Sequence, residues 1–574
     1  MARALTTLDL LPRNKITTAI RTSLSLLVAG TFSQGLFAQE ADEADDQGVA
    51  EEEVYDNENV LEEVIVTGFA GSLMSSQLIK ENSPVVVDSL TAEDMGALAD
   101  RSVTEALQRV PGVAINRFAA GRDPDHFSVE GSNLIVRGLT YVKSEVNGRD
   151  SFTANNGRGL NFADISPELL AGVDVFKTLT ADRIEGGIAG TINLRTRKAF
   201  DTEGPQLLFS AEATYNDFIE KTTPTASILG SYRWDTKHGE FGVLGSFVYS
   251  RIKSRADRFQ ISNFADRTLY SNGDVIETEG AVPVKQVWFP RGAVMGTQEF
   301  DRERYGMSAS LQWRSNDESM EATAEFLRSD AREAWTEHTM EIATDVVTDQ
   351  GDSRAVPGTS FTFDSSDIFD SGYITGPAGW RDDQWSGDPR TPAQGLQSNN
   401  ILRDVKQKYV TDDFSVNFRW YVSDDWALDF DYQHVKSTVD NTDAGIWNST
   451  YQDLKMDLNG TKLPDVSFTP IQPCEGGPNN ECSSYYTGDH QDYTDPFNSF
   501  YRAAMDHVEE SEGTSDAFRI DGSRIFEESD WLDSVQFGYR FADRDQTARF
   551  STYNWGSLSE IWGNGGPVWL DDPV

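Results

Sequence analysis

The feature that most restricts the fold of this chain is an alternation of side chains with a period of two, which holds from about residue 204 onward. For example, Ile228 and Tyr232 alternate with Ser227 and Ser231. Because successive side chains of a β-strand point to opposite faces, this pattern predicts strands. The segments that carry it number about nine: 207–215, 226–234, 241–249, 305–313, 320–326, 414–420, 426–432, 518–526 and 535–541.

The connections between these segments alternate in length, which favours an antiparallel transmembrane β-barrel over a soluble β-sandwich. The short connections are 235–240, 315–319, 422–425 and 527–531, and the long ones are 252–304, 330–411 and 437–513. Aromatic residues bracket the short turns, as expected at a membrane interface: Trp234, Phe241, Trp313, Trp420, Trp426, Phe526 and Trp531. An odd, small set of strands cannot close around a domain. We therefore expect the chain to be an N-terminal fragment of a longer protein.

The first residues indicate export. Arg13, Lys15 and Arg21 precede an apolar run at 24–32, and Ala38 ends a cleavage-like triplet, so we expect a signal peptide at 1–38. The alternative is an internal amphipathic helix. Residues 39–61 are rich in Asp and Glu and are expected to form a disordered linker.

Composition excludes several classes of function. The formal net charge of -44 argues against nucleic-acid binding, which needs basic patches. The two cysteines, Cys474 and Cys482, are close together and suggest a local disulfide in an exported chain. No catalytic triad, metal-ligand cluster or phosphate-binding loop emerges, so we expect neither an enzyme nor a cofactor or metal site.

Residues 80–198 have the pattern of a small α+β domain that precedes the barrel segment at 204–574. A strand is expected at 85–87, a helix from Thr91, and a second helix at 103–110 that Pro111-Gly112 ends. Three further strands are expected near 135–138, 173–176 and 191–194.

A short apolar run stands between the acidic linker and this domain: Glu62, Glu63, Val64, Ile65, Val66, Thr67 and Gly68. Its β-branched residues favour an extended backbone, so the run can add as a strand to the sheet edge of a partner protein. The alternative is a short first strand of the α+β domain.

These segments together resemble the TonB-dependent outer-membrane receptors, and within them the large proteobacterial group often tied to carbohydrate uptake. Residues 62–68 resemble the TonB box, and the motifs 107–113, 135–139, 147–149, 173–177 and 185–194 resemble plug motifs. The resemblance implies a plug followed by a barrel of about 22 strands, placed in the outer membrane of a Gram-negative bacterium. It also implies TonB, with ExbB and ExbD, as partners, besides outer-membrane lipid and an extracellular nutrient.

The resemblance also singles out candidate residues of the plug: Arg109, Pro111, Gly112, Arg137, Gly138, Asn147, Gly148, Arg149, Glu185, Gly186, Gly187 and Gly190. The glycines permit tight turns or close backbone approach. The charged residues Arg109, Arg137, Arg149 and Glu185 are candidates for polar contacts between plug and barrel wall. The alternative for each is solvated surface charge.

Aromatic residues of the long connections are candidate ligand contacts: Trp288, Trp335, Trp380, Trp385 and Trp447, with Tyr485 and Tyr486. Flat rings beside carboxylates and amides suit sugars, and an acidic mouth disfavours anionic ferric siderophores. We therefore expect active uptake of an oligosaccharide or similar neutral solute. The alternatives are a ferric-siderophore or cobalamin-type receptor and, with less support, a passive porin-like barrel.

Overall fold

The computed structural model describes residues 69–91, 102–116, 118–120, 123–127, 131, 133–155, 159–277, 279–344, 353–376, 395–460, 463–470, 489, 494–526, 531–559 and 568–572. The expected signal peptide, acidic linker and box at 62–68 lie outside these residues, as do Trp380, Trp385, Tyr485, Tyr486, Cys474 and Cys482. In the described part of the chain, no helix is long and apolar enough to cross a membrane.

The N-terminal domain is built on a five-stranded sheet with the order β1-β8-β9-β6-β7. Two small hairpins, β2–β5 and β3–β4, flank this sheet. Its α-helices among the described residues are α1 (Phe69–Asn82) and α2 (Val103–Leu107). Its strands are β1 (Val87–Thr91), β2 (Val113–Asn116), β3 (Phe118–Ala120), β4 (Asp123–Phe127), β5 (Asn133–Val136), β6 (Val142–Val146), β7 (Arg149–Asp150), β8 (Leu170–Phe176) and β9 (Gly190–Thr196).

These elements follow the sequence pattern with small shifts. Helix α2 begins after Ser102, whose side chain accepts a hydrogen bond from the Glu105 N–H as an N-cap. It ends at Leu107 rather than at the expected residue 110, because the chain tightens into a turn before Pro111. Strand β1 begins at Val87, which is later than the expected 85–87 segment. Helix α1 was not predicted.

The C-terminal part is a wall of antiparallel strands that pair in the order β10-β11-β12-β15-β16-β20-β21-β23-β24. In the described residues these are nine strands, and they contain the nine predicted segments except for Phe526, which lies one residue beyond its strand. Their bounds are β10 (Gln206–Asn216), β11 (Lys221–Thr236), β12 (Gly239–Ile261), β15 (Gly292–Arg314), β16 (Met320–Ala343), β20 (Leu396–Ser423), β21 (Trp426–Asp457), β23 (Phe500–Ile525) and β24 (Ser534–Phe550).

The predicted short turns within 235–240, 315–319 and 422–425 are confirmed, and residues 527–530 of the fourth lie outside the described residues. The predicted extent of the long loops is wrong. Strand β12 continues to Ile261 and β21 runs for 32 residues, well beyond the segments expected from apolar alternation. The apolar alternation stops because the outward side chains become charged, whereas the backbone ladder continues. Cross-strand neighbours such as Lys253 and Asp301 then support the pairing by opposite charge.

Smaller strands fold the long connections into a cluster beyond the wall. They are β13 (Phe264–Tyr270), β14 (Pro283–Pro290), β17 (Arg354–Ala355), β18 (Thr362–Phe363), β19 (Phe369–Thr375) and β22 (Asp465–Thr469). Two further short strands, β25 (Asn554–Ser557) and β26 (Val568–Trp569), follow β24 and pair with β23. A separate apolar core holds β13, β14, β19 and β22 together. Within it Phe289 meets Phe361 and Phe369 edge-on, with ring centroids 5.1 Å apart in each pair.

The wall has an inward face that meets the N-terminal domain and an outward face that does not. Val248 of β12 and Leu327 of β16 are buried in the same apolar core as Leu170, Ile192 and other residues of that domain. The N-terminal domain therefore occupies the concave side of the wall, and alternate wall residues face it.

The outward face carries a band of apolar and aromatic residues next to the short turns. On β12 the outward positions from Phe241 to Tyr249 are apolar, aromatic or glycine, and the next outward residue is Arg251. On β15 the matching band runs from Trp313 to Tyr305, and Glu303 follows. A segment of about 9–11 residues is what a tilted strand needs to cross a bilayer.

Candidate functional site at the interface between plug and wall

A tight turn between β6 and β7 presents Arg149 to the wall. Asn147 and Gly148 have φ values of 50° and 78°, and an Asn-Gly pair adopts such left-handed conformations at little cost in a two-residue hairpin turn. The Gly148 N–H donates to Asn193 Oδ1 at 2.7 Å, which fixes the turn on β9. The sequence motif 147–149 therefore shapes a local hairpin that aims a guanidinium outward from the N-terminal domain.

Arg149 forms a buried ionic contact with two wall strands. Its Nε lies 2.9 Å from both carboxylate oxygens of Asp431 on β21, and its Nη2 lies 2.7 Å from Asp431 Oδ2. Its Nη1 lies 3.2 Å from Glu325 Oε2 on β16. All three side chains are largely buried, with exposed fractions of 11% for Arg149, 7% for Glu325 and 14% for Asp431. One cation thus joins the plug to two strands that are not neighbours.

Neighbouring polar groups complete the coordination of Glu325. Asn147 Nδ2 donates to Glu325 Oε1 at 2.8 Å, and Thr196 Oγ1 donates to the same atom at 3.1 Å. Lys198 Nζ lies 3.7 Å from Glu325 Oε2. The carboxylate therefore meets partners from β6–β7 and from the segment around β9, all on the inward face.

The electrostatics of the contact favour the ionised form of Arg149. Burial alone would lower the pKa of the guanidinium, but the hydrogen bonds and charge of Asp431, with Glu325 and Asp413, outweigh it and raise the pKa. Bidentate arginine–carboxylate pairs combine strength with fixed geometry. Removing one member of such a buried group leaves uncompensated charge, which costs far more than the intact contact contributes.

A second contact lies further from the short turns. Phe152 packs among Val435, Val439 and Tyr409 on the inward face of the wall. The Arg544 guanidinium carbon stands 3.5 Å from the centre of the Phe152 ring. The Ala154 N–H donates to Ser437 Oγ at 2.9 Å. Gln546 of β24 also donates to the Asn155 carbonyl, so this contact combines one aromatic anchor with two hydrogen bonds to the plug backbone.

A third contact is formed by the turn around Asp164. Arg304 Nε of β15 donates to the Ala163 carbonyl at 2.8 Å, and Ser329 Oγ of β16 donates to the Asp164 carbonyl at 2.7 Å. The Asp164 carboxyl is buried between these strands. Burial raises the pKa of Asp164 to about 7, against the opposing effect of Arg302 and Arg304.

Other predicted plug residues either contact the N-terminal domain itself or are exposed. Arg137, with φ 51°, donates through Nη2 to the carbonyls of Lys177 and, at 3.2 Å, Ala189. Both carbonyls belong to the plug, so these contacts differ from the expected contact with the wall. Glu185 and Arg109 are exposed. Gly187 and Gly190 are closely packed, because a Cβ there would lie 2.6 Å and 2.8 Å from the carbonyl oxygens of Gly190 and Phe176.

The wall residues of the site were not predicted. Glu325, Asp431, Arg304 and Ser437 lie in strands where polar inward residues are common, so their type alone does not mark them. The sequence signal that could have identified Glu325 and Asp431 is their position in predicted strands, on the face opposite the apolar residues. A buried charge at such positions needs a partner, and the partner comes from a distant part of the chain.

The aromatic residues that were predicted to contact a ligand differ in how exposed their rings are. Trp288 on β14 is 50% exposed. Trp335 is buried with Phe300 and Val405, and the Arg403 guanidinium carbon lies 5.0 Å from its ring centre. Trp447 packs against Trp555 with ring centroids 4.4 Å apart. Of these three residues, only Trp288 offers a largely open ring.

Replacement of Arg149 by Met tests the ionic contact. We expect the variant to lose about 3–5 kcal/mol of stability, because Glu325 and Asp431 remain buried without their cation. The readout is hydrogen–deuterium exchange over Val142–Asp150, which should lose protection. Lys143→Met is the matched control, since Lys143 pairs within the plug with Asp150 at 3.0 Å. Adding Glu325→Gln and Asp431→Asn to the variant should restore most of the protection. Unchanged protection in the single variant would contradict this account.

Replacement of Asp164 by Asn tests the buried carboxyl. Since the pKa of Asp164 is raised from 3.8 to about 7, its contribution to stability is complete at low pH and is lost as the pH rises through about 7. The variant should therefore exceed the parent in free energy of unfolding by up to about 4 kcal/mol at about pH 8. That advantage should shrink steadily as the pH falls toward 4. An advantage independent of pH in denaturant titrations would exclude titration of Asp164 as the cause.

Comparison with known proteins agrees with this arrangement. Residues 79–191 match the family model described as the TonB-dependent receptor plug domain. No curated protein sequence matches the chain.

Three solved structures overlap most of the chain at low similarity. The hemophore receptor HasR of Serratia marcescens is 9% identical, with 83% of this chain and 80% of that chain covered and a TM-score of 0.25. The siderophore receptor PirA of Acinetobacter baumannii is 8% identical, with coverages of 82% and 93% and a TM-score of 0.27. The ferric enterobactin receptor PfeA of Pseudomonas aeruginosa is 10% identical, with coverages of 84% and 90% and a TM-score of 0.26. The family match is confined to residues 79–191, which pack against a wall of antiparallel strands in this structure. Residues 79–191 therefore have the sequence of a TonB-dependent receptor plug domain.

Proposed function

We propose that the protein is an energy-coupled uptake receptor of the bacterial outer membrane. It binds a nutrient at the loop end of the wall and passes it through the lumen when the plug moves. The observation that carries this proposal is the contact of Arg149 with Glu325 and Asp431. Ionic and hydrogen-bonded contacts can exchange with water when a plug is displaced, whereas a continuous apolar interface resists such exchange.

The coupling element is the run Glu62–Gly68, which we propose binds TonB as an added strand, with ExbB and ExbD supplying the energy. This run directly precedes helix α1. At the other end of α1, Lys80 Nζ lies 2.6 Å from Asp88 Oδ1 on β1, and Asp88 also pairs with Lys177 after β8. A pull on residues 62–68 would therefore reach the plug sheet through α1 and Asp88.

A passive porin is the competing function, and the plug argues against it. A porin needs an open lumen, whereas this wall carries a folded domain on its inward face, held at several separate contacts. Occupation of the lumen by a plug is the arrangement of a gated receptor rather than of a diffusion channel.

For the ligand we propose an oligosaccharide or a similar neutral solute. The chain has a formal net charge of -44, which disfavours anionic ligands. The exposed ring of Trp288 lies near the loop end, where a sugar face can stack on it. A ferric siderophore is the alternative, and it would have to be neutral or cationic to meet an acidic mouth without repulsion.

Replacement of Ile65 by Pro tests the coupling. Proline removes a backbone donor that an added strand needs, so uptake should fall to the uncoupled level while ligand binding survives. Uptake is measured in cells on a panel of labelled oligosaccharides and iron chelates, and binding on the same cells without energy. Ala44→Pro in the acidic segment is the matched control and should transport normally. Undiminished uptake by the Ile65 variant would refute the coupling, and uptake of iron chelates alone would refute the proposed ligand class.

A further inference from the structure

One face of the β13–β14 hairpin, in the cluster of loop strands beyond the wall, carries an exposed tryptophan among polar side chains. Asp266 on β13 is directly opposite Trp288 on β14, and Thr268 is directly opposite Gln286. Because cross-strand partners and residues two apart share one face of a sheet, these four side chains stand together. Trp288 is 50% exposed, and Asp266 and Gln286 are exposed as well. We call this surface the Trp288 face.

The reverse side of the hairpin anchors the ring. Val287 and Phe289, the two chain neighbours of Trp288, are 1% and 3% exposed and lie in the apolar core of the loop cluster. Strand β13 pairs along one edge of β14, and at the other edge the Trp288 N–H donates to the Asp367 carbonyl at 2.9 Å. The ring therefore projects from a fixed backbone. A rigid aromatic side chain offers a large contact area at a low cost in conformational entropy.

A tight turn adds the fifth residue of the Trp288 face. Ile368 forms a parallel bridge with Trp288, so its side chain continues the row that starts at Asp266. The Asp364 carboxylate accepts hydrogen bonds from the N–H groups of Ser366 at 2.8 Å and Ile368 at 2.9 Å, which holds the turn in place. The exposed ring thus lies between an apolar side chain and a carboxylate.

The polar side chains beside the ring keep hydrogen-bonding capacity for a ligand. Among the residues that the structure describes, no cation lies within 4.0 Å of the Asp266 carboxylate. Gln286 Nε2 donates to Thr268 Oγ1 at 2.9 Å, which orients the amide, and no donor of the described chain reaches the amide oxygen. A flat ring flanked by two such acceptors matches a sugar, which has an apolar C–H face and hydroxyl donors at its edge.

Charge and area select among the possible ligands of this face. Among its five side chains the only charge is the Asp266 carboxylate, and the neighbouring Lys285 pairs with Asp367. An anionic glycan or an anionic iron chelate would therefore meet a carboxylate without a compensating cation. Trp288 and Ile368 are the two large apolar side chains of the five. They fall far short of the ~800 Å² per partner that a stable protein interface buries.

We propose that the Trp288 face is a capture site that binds a neutral glycan chain independently of the plug. A sugar ring stacks on Trp288, while its hydroxyl groups donate to Asp266 and Gln286. The inference rests on the ligand class of the proposed function but not on transport. The described residues of the apolar core behind the face all lie between 261 and 468, so plug residues do not build it. A glycan held there remains at high effective concentration for a second site of the same receptor.

The first experiment measures glycan binding by the full chain in detergent with isothermal titration calorimetry. The probes are maltohexaose, cellohexaose and xylohexaose, with hexagalacturonate as the anionic counterpart. We expect binding of at least one neutral probe and none of hexagalacturonate. Trp288→Ala should weaken that binding about tenfold, as truncation of an aromatic anchor does. Trp288→Phe should retain most of it, because a flat ring remains.

Two further variants complete the calorimetry. Asp266→Ala should weaken binding of the same probe about tenfold, the usual effect of losing a hydrogen bond to a charged group. Trp531→Ala is the matched control, because Trp531 is 86% exposed beside a short turn of the wall. This control should bind every probe as the parent does.

Uptake by cells separates capture from passage. Trp288→Ala should raise the concentration of glycan that gives half-maximal uptake about tenfold, in step with the loss of binding. The maximal rate should not change, because at saturation the glycan reaches the lumen without capture. A lower maximal rate would place Trp288 on the passage itself and would overturn a separate capture site.

Three binding results would also overturn the proposal. Equal affinities of the parent and the Trp288→Ala variant for a neutral probe would exclude the ring, and uptake of that probe would leave the proposed function intact. Failure of the parent both to bind and to take up any neutral probe would refute the proposed ligand class together with the capture site. A dimer that Trp288→Ala dissociates, without glycan binding, would assign the face to a protein partner.

Discussion

The Arg149 guanidinium, buried between Asp431 and Glu325, is the contact on which the relation of plug to wall depends. The two carboxylates belong to β21 and β16, which are separated by β20, and both take the same cation as their partner. Without the plug, both would face the lumen as uncompensated inward charges. Ionic contacts of this kind contribute little net stability when intact and cost much when one member is removed. They hold the plug in one position without making that position permanent.

The alternation of side chains along uninterrupted ladders lets one wall serve two environments. The Ser437 side chain faces the plug, whereas the Asp440 side chain, three positions along β21, faces outward. Near the short turns the outward residues are apolar, and farther along they are charged. The inward residues remain polar throughout much of both regions. The same backbone pairing therefore supports a wet lumen, an apolar band and a charged belt, and only the side chains differ.

The sequence predicted much of the fold because alternation is a local signal. Each of the nine segments became a wall strand, and the Asn147-Gly148-Arg149 motif marked a hairpin that meets the wall. Strand lengths were underestimated, because Lys253 and Asp301 interrupt the apolar pattern without interrupting the ladder. The wall partners of Arg149 could not be predicted, since Glu325 and Asp431 are brought to it only by the fold. Arg137 has the same residue type and a neighbouring glycine, yet its φ of 51° directs it to carbonyls within the plug. Residue type thus identified candidates, and long-range packing determined which of them reach the wall.

The central claim is that the plug, held on the inward face by separable contacts, must move for transport. A disulfide between cysteines placed at Ala154 and Ser437 tests this directly, because the Ala154 N–H and Ser437 Oγ are 2.9 Å apart across the interface. Uptake by cells carrying this variant is measured before and after mild reduction, with the extent of cross-linking determined on gels. The account predicts that the oxidised variant binds ligand but does not transport it, and that reduction restores transport. Full transport by a completely cross-linked plug would contradict it.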